Sequence, residues 1–547
     1  MSAILTLHSP DRAAHYYGAG HWKNDTLYAL LRHHAAERPH AYALRDSARR
    51  LTWKQLLDWV DDVALELHNS GVRPGQRVSV WLPNRVETVV VTLACSRNGY
   101  LCNPSLHQSY TVSDVVNLLT HIQSTVLFAQ TGFGADALQR DVFHAARAVA
   151  SIKNVYRLPP VAETATPDLA VNGAQPDPVA NPDKIVLLAF TSGTTGDPKG
   201  VMHSDNTLLA NARAMARDWR HDQNIVLMSM SPLTHAIGTI AMAQALVSGF
   251  ELVVNDIPKG KVALDWIEET GATYMMGVPT HAIDILTEAE RRGNRKLGKV
   301  RVFYMGGAAI PRETVHALLD MGITPQNVYG MTENGAHQYT LPDDDTSVIV
   351  ETCGRACAGY ETSIWREDDP DIEAAAGEIG EIGGRGACLM LGYFGNQRAT
   401  ELSFNRAGWF MSGDLGRLDA AGNLQVVGRK KDIIVRGGHN IYPGRIEDYA
   451  RSHPRVIKAA AFPVSDARLG EKVCLAVELR GDAALDPLAL LAHLAQRGLS
   501  RYDMPEYYLA LKALPLTPSG KILKRSLVDQ TKNGQLVPVP VRWNSNT

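Results

Sequence analysis

Ten consecutive residues concentrate the groups needed to hold a polyphosphate. Thr191-Ser192-Gly193-Thr194-Thr195-Gly196-Asp197-Pro198-Lys199-Gly200 supply four hydroxyls, three glycines and one lysine. Such a loop can wrap phosphate oxygens with backbone N–H groups while hydroxyls and an ammonium add charge-assisted contacts. It is not a GxxxxGK[ST] loop, because the interval from Gly196 to Lys199 is wrong and Gly200 follows the lysine. Taken alone, the segment also reads as a surface turn rich in Thr and Gly. Four further residue types extend the pattern. Glu333 is a carboxylate suited to a hard cation, and by itself equally a solvated loop acid. Tyr329 offers an aromatic face to a flat base, although core packing also explains a tyrosine. Asp414, flanked by glycines in a predicted turn, can accept from two hydroxyls or cap the turn. Lys521 follows Pro518, Ser519 and Gly520, a loop that can carry a long cation into a site without distorting a helix or strand.

The string 191–200 resembles the phosphate loop of the acyl-adenylate-forming superfamily, which contains acyl-CoA synthetases, adenylation domains of peptide synthetases and luciferases. Further elements similar to that family's motifs follow in order over nearly the whole chain. Gly306-Gly307-Ala308-Ala309-Ile310-Pro311 resembles the adenine-side loop, and Tyr329-Gly330-Met331-Thr332-Glu333 the YGxTE element. Ser412-Gly413-Asp414 resembles the ribose-binding aspartate, Gly428-Arg429-Lys430-Lys431-Asp432 the hinge, and Pro518-Ser519-Gly520-Lys521 the catalytic lysine. Pro232-Leu233-Thr234-His235-Ala236-Ile237-Gly238 is similar to the element bordering the acyl carboxylate.

The resemblance implies AMP-forming ligation: a carboxylate attacks the α-phosphate of ATP, pyrophosphate leaves, and CoA takes the acyl group. Both reactants of the first step are anions, so the site must supply positive charge and alignment. The resemblance assigns Thr191, Ser192, Gly193, Thr194, Thr195, Gly196 and Lys199 to the β- and γ-phosphates, and Thr332 to the α-phosphate. It assigns Glu333 to Mg²⁺, Gly307, Ala308, Tyr329, Gly330 and Met331 to the adenine side, and Asp414 with Arg429 to the ribose. Lys521 would stabilise the transferring charge, Lys431 would be the hinge of a domain rotation, and Gly437 and Gly438 would lie near CoA. The acyl pocket is expected from His235, Ala236, Gly306, Gly330 and Gly335, with His235 bonding locally or gating. No aspartate stands in 231–238 to hold an α-ammonium, which disfavours an amino acid substrate. The general texture resembles bacterial ligases for medium-chain, alicyclic (cyclohexanecarboxylate) or aromatic acids. Three alternatives stand beside this reading: loading of a carrier-protein phosphopantetheine, a noncatalytic nucleotide sensor, and luciferase-like oxidation. Retaining both Lys521 and Glu333 argues against the sensor.

The elements that must position these groups are partly legible. The apolar, β-branched run 185–190, bounded by Pro182 and the Thr/Gly turn, predicts a buried strand, followed by a helix over 207–219. Helical spacing over 51–70, alternation over 78–82 and helical spacing over 87–96 predict parallel sheets covered by helices. Residues 377–438 hold 14 glycines in 62 positions and predict a β-rich portion of turns and short strands. Asp486, Pro487 and Gly498 bracket a helix with Leu488, Leu491 and Leu494 on one face. Residues 157–183, with six prolines, read as a surface connection, and the tail beyond 533 as extended. The expected fold is α/β: a large N-terminal domain (1–430) of helix-covered sheets plus the β-rich portion, then a small mobile α+β domain (431–547).

Composition bounds the partners. The 547 residues carry 55 Lys and Arg against 57 Asp and Glu, a net charge of −2 that is too balanced for a generic polyanion binder, so nucleic acid is not the expected partner. Apolar residues at 45% and charged ones at 20% are ordinary for a globular chain. The longest apolar runs fall far short of the roughly 20 residues that span a bilayer. The N-terminus lacks the basic start and apolar middle of a signal peptide, and six sparse cysteines read as reduced and structural, so a cytoplasmic protein is expected. Homo-oligomerisation is left open.

Overall fold

The computed structural model describes residues 4–104, 106–161, 173–191, 199–481, 483–517 and 520–543. Among the described residues the strands form four sheets. The expected strand Ile185–Thr191 is a buried strand of the first, six-stranded sheet, between Leu101–Asn103 and Lys199–Ser204. That sheet is parallel except for its last pair, in which Ile185–Thr191 runs antiparallel to Lys199–Ser204.

The second sheet has nine strands. Its centre is parallel and runs from Thr324–Met331 through Val302–Gly306, Tyr274–Gly277, Val226–Ser229 and Glu251–Val254 to Tyr42–Arg45. Antiparallel strands close both edges. Between the first two sheets lie helices with no polar face to show. Every residue of Val86–Asn98 is buried, as are nine of Ala236–Ser248, and a left-handed glycine, Gly99 or Gly249, ends each. The amphipathic helix Trp53–Asn69 covers them from outside. Thr52 and Gln55 form its capping box, and Leu56, Trp59, Val60, Val63, Ala64 and Leu67 are buried.

The glycine-rich portion folds as an antiparallel four-stranded sheet, Tyr360–Trp365, Gly380–Gly386, Phe410–Leu418 and Leu424–Arg429. A single 3₁₀ turn, Lys430–Asp432, leads from it to the last sheet. There Val456–Asp466 pairs antiparallel with Gly470–Leu479, which pairs in parallel with Tyr507–Leu511. The helix expected after Asp486 spans Pro487–Gln496, and the Asp486 carboxylate accepts from the Leu488 N–H. The mixed α/β class, with large N-terminal sheets and a smaller C-terminal unit, is therefore as expected.

Local differences have local causes. The helix expected over 207–219 spans Asp205–Asp218, because Ser204 caps it by accepting from the Thr207 N–H. In the connection 157–183 the first two residues belong to strand Asn154–Leu158, and 162–172 fall outside the described residues. Its remainder is tied down: Arg97 donates to the Pro176 carbonyl and accepts from the Val179 N–H through its own. The extended tail adds the short strand Val539–Pro540 to Tyr507–Leu511. All six cysteines are free, and no described helix is long and apolar enough to cross a membrane.

Candidate active site

Parallel sheets present their ligands at the carboxyl ends of the strands. Two neighbouring strands of the nine-stranded sheet, Val302–Gly306 and Thr324–Met331, deliver Gly306-Gly307-Ala308 and Tyr329 to Glu333 to one such edge. Gly330 is obligatory there. The strand bulges so that Met331 faces Gly335, and a Cβ on Gly330 would come within 1.8 Å of the Gly335 carbonyl oxygen. Gly335 itself is left-handed at φ +65° and packs against Asn211, whose amide exchanges two hydrogen bonds with Ala336.

Tyr329, Asp414 and Arg429 come together. The Tyr329 hydroxyl donates to Asp414 Oδ2 at 3.0 Å, and Arg429 Nε lies 3.2 Å from Oδ1. Asp414 and Arg429 are register partners on adjacent strands of the glycine-rich sheet, which fixes their pairing. Burial pushes the Asp414 carboxyl up, and Arg429 pulls it back. The aspartate is thus buried, oriented and partly neutralised.

Thr191 and Lys199 are register partners on antiparallel strands, so the two ends of the loop between them lie side by side. Ser192, Gly193, Thr194, Thr195 and Gly196 of the expected phosphate loop lie outside the described residues. Lys199 Nζ stands 4.8 Å from the centroid of the Tyr393 ring, and the Tyr393 hydroxyl donates to Glu333 Oε1 at 2.9 Å. One tyrosine therefore holds both the loop lysine and the candidate metal carboxylate. Burial pushes the Glu333 carboxyl up, against the Tyr393 hydrogen bond and the Lys199 charge. The Thr332 carbonyl accepts from His203 Nε2 at 2.7 Å. Burial lowers His203 to about 4, so its ring is neutral, and Nδ1 lies 3.0 Å from the Thr207 hydroxyl.

Lys521 reaches this edge from the C-terminal unit. Gly307 is left-handed at φ +84°, and a Cβ there would lie 2.6 Å from Lys521 Cε and 2.9 Å from Nζ. The lysine occupies the space that the glycine leaves. Burial, then the Arg429 charge, lower its ammonium to about 8, with Asp414 opposing. His235 caps Ala236–Ser248 through Nδ1, which accepts the Ile237 N–H at 3.5 Å. Burial, followed by the charges of Lys521, His107 and His281, takes His235 to about 3. It is a neutral group at physiological pH. Ala236 opens the same helix, and Gly306 lies where a Cβ would meet the Val328 carbonyl and the Tyr304 hydroxyl at 3.2 and 3.4 Å.

Lys431 is in the 3₁₀ turn at the passage between the units. Gly437 and Gly438, both left-handed, form the two-residue turn between Ile434–Arg436 and His439–Ile441 and are exposed. The Gly437 N–H donates to Leu469 within the same unit. Sequence reasoning missed Tyr393, His203 and Thr280, whose hydroxyl donates to the Gly520 carbonyl. Tyr393 carried one weak signal, an aromatic next to Gly392 in a glycine-rich stretch. The other two carried none, since their partners are more than a hundred residues away.

The arrangement offers two buried carboxylates in distinct environments, a buried ammonium in the field of one of them, and neutral imidazoles beside that ammonium. Comparison with known proteins agrees with that chemistry. The AMP-binding enzyme model matches residues 31–394, and the AMP-binding enzyme C-terminal domain model matches 445–521. The chain is 31% identical over 534 residues to a medium-chain fatty-acid–CoA ligase of Escherichia coli (strain K12), covering 96% of this chain and 93% of that one. It is 30% identical over 533 residues to a 2-hydroxy-7-methoxy-5-methyl-1-naphthoate–CoA ligase of Streptomyces carzinostaticus, covering 94% and 95%. The crystal structure of ATP-bound MatB from Rhodopseudomonas palustris superimposes with a TM-score of 0.81 at 26% identity, covering 93% of this chain and 99% of that one. By its sequence over most of its length, its fold and its assembled motifs, the chain belongs to the AMP-binding enzyme family.

Proposed function

We propose that the protein is a cytoplasmic, AMP-forming carboxylate–CoA ligase for a medium-chain, alicyclic or aromatic acid. The observation that carries this reading is the seating of Lys521 against Gly307, in the field of Asp414 and Arg429. A sensor would need a nucleotide pocket but no buried cation brought to it from a second unit. In the first step a carboxylate oxygen of the acid attacks the α-phosphorus of ATP, and the bond to the pyrophosphate oxygen breaks. In the second the CoA thiol loses its proton and its sulfur attacks the acyl carbonyl, and AMP leaves.

The chain's own residues have distinct tasks. Tyr329 presents its face to adenine, with Gly307 and Ala308 leaving room. Asp414 and Arg429 hold the ribose hydroxyls, and Thr191 to Gly196 with Lys199 hold the β- and γ-phosphates. Thr332, anchored through its carbonyl by His203, serves the α-phosphate. Lys521 offsets the charge that develops as carboxylate and phosphate meet, a preorganised contribution on the scale of about 3 kcal/mol. His235, neutral, borders the acid with Ala236, Gly306, Gly330 and Gly335. The small domain beginning at 431 then turns about Lys431, and Gly437 and Gly438 approach the CoA arm.

Magnesium fits the donor set. Among the described residues no three His, Cys, Asp or Glu gather as a resident metal site, and Glu333 is a single buried carboxylate whose Oε1 accepts from Tyr393. Magnesium characteristically takes one or two protein carboxylates and fills its shell with water and phosphate oxygens. Bound to the nucleotide, it would neutralise phosphate charge. Glu333 would hold it.

The acid class is supported by the acids named for the two similar ligases and by the small residues around the expected pocket. The test incubates purified protein with MgATP and a panel of aliphatic, alicyclic and aromatic acids, with and without CoA, and identifies products by mass. AMP with a CoA-dependent thioester is expected. Acyl-AMP that accumulates regardless of CoA would redirect the second step to a carrier-protein thiol, and no AMP with any acid would overturn the reading.

A further inference from the structure

Lys521 must arrive from another unit and stop within bonding range of its site, yet a lysine side chain alone does not fix where its backbone halts. The structure contains such a stop. Strand Tyr274–Gly277 neighbours Val302–Gly306, with Gly277 paired to Met305, so the residues after each strand emerge side by side. After one comes Gly307, against which the lysine lies. After the other comes Val278-Pro279-Thr280, the start of the 14-residue helix Pro279–Arg292.

The Thr280 hydroxyl donates to the carbonyl of Gly520 at 2.8 Å, one residue before Lys521. Gly520 is left-handed at φ +82°, and a Cβ on it would lie 3.0 Å from Thr280 Oγ1 and from Val278 Cγ2, and 3.3 Å from His281 Nε2. The backbone is thus pressed onto the helix end. Val278 also borders Gly307, so one residue separates the two seats. His281 is fixed in turn, because its Nδ1 accepts the Val278 N–H at 3.2 Å. Within the lysine loop the Thr517 hydroxyl accepts the Lys521 N–H at 3.0 Å and the Thr517 carbonyl accepts the Gly520 N–H. The Gly520 carbonyl remains for the large domain to grip, and Thr280 grips it.

We propose that Thr280 is a positioning residue for the adenylation half-reaction: its hydrogen bond to the Gly520 carbonyl sets the depth at which Lys521 enters the site. The proposal rests on the ligase reading above. The Thr280 hydroxyl is committed to the Gly520 carbonyl, and that contact exists only while the lysine loop is docked. It therefore acts on acyl-AMP formation and not on the transfer to the thiol.

The experiment compares the full-length protein with Thr280→Val, which keeps the shape and removes the donor, and Thr280→Ser, which restores the donor. Single-turnover acyl-AMP formation is measured at saturating MgATP and acid, and thioester formation is measured from supplied acyl-AMP. Losing one such hydrogen bond predicts about a tenfold slower adenylation for Thr280→Val, with KM for ATP within about twofold. Thioester formation should be unchanged and Thr280→Ser should recover most of the rate. Adenylation by Thr280→Val at the parent rate overturns the proposal, and so does an equal loss in both half-reactions that serine fails to rescue. Failure of the parent protein to form acyl-AMP with any acid would overturn the ligase reading itself, and this proposal with it, before any variant is compared.

Discussion

The proposed nucleotide grip and the lysine seat are built on opposite plans. Tyr329, Asp414 and Arg429 meet within two sheets on the N-terminal side of the 3₁₀ turn, locked by strand register and by the hydrogen bond and ion pair among themselves. The seat of Lys521 is an encounter: Gly307 and Thr280 come from one side of that turn, Gly520 and the lysine from the other. The first is held within one side of the turn, as suits its proposed part in binding ATP, whereas the second depends on the two sides meeting. A chain that must perform two chemistries at one place gains from that asymmetry, since the part proposed to hold the nucleotide need not move.

The contrast is broken most sharply at the lysine. Lys521→Ala should slow acyl-AMP formation by about 10² or more while ATP binding, read by calorimetry, stays within a few-fold. Thioester formation from supplied acyl-AMP should be much less affected. Next comes the passage between the units. Lys431→Pro, by fixing φ at the turn, should slow thioester formation about tenfold or more and leave adenylation nearly intact. An unchanged rate in both half-reactions would remove the hinge from that residue.

The acidity of the seat sharpens the comparison further. Lys521 titrates at about 8 through burial, below the 10.5 of a free lysine, and only its protonated form opposes phosphate charge. Raising pH through 8 therefore removes the cation, and kcat/KM for ATP should fall about tenfold per unit above that value. The groups facing the ammonium are Arg429, Asp414 and His235, of which the histidine is already neutral. Lys521→Arg should abolish this limb of the profile, whatever it does to the maximum rate. On the preorganised side the expected effect is smaller. Tyr393→Phe removes the hydroxyl from Glu333 but keeps the ring under Lys199, so a three- to tenfold loss is expected, on the scale of one ordinary hydrogen bond. It should appear chiefly as a raised magnesium requirement, measured by titrating the metal at fixed ATP.

How much was legible in the sequence follows the same division. The run 185–190, the helical spacing over 51–70, the cap at Asp486 and the glycine-rich portion gave correct elements because each is a local signal. Tyr329, Asp414 and Arg429 stand in motifs that pair the aspartate with the arginine, yet nothing in them revealed that the Tyr329 hydroxyl bonds Asp414. Thr280 and His203 were invisible, since a threonine in the first turn of a helix and a histidine in a strand are ordinary until their partners 240 and 129 residues away arrive. The helix Val86–Asn98 shows another limit. It is buried on all sides, so its pattern had no polar face from which to read an orientation.

The helix Pro279–Arg292 has a consequence for how the two units part. Thr280, Asp284 and Glu290 lie along one side of it, within about 15 Å, and bind Gly520, Lys458 and Arg480 of the small domain. The Arg480–Glu290 pair is exposed and the Lys458–Asp284 pair half so, while the Thr280 bond is neutral. Dissolved ions screen the outer two and leave the inner one untouched. Along this helix, salt would loosen the far end before the end that seats the lysine. Under the proposed domain rotation, ionic strength would then bias the half-reactions, favouring release of the lysine loop without weakening the Thr280 bond itself.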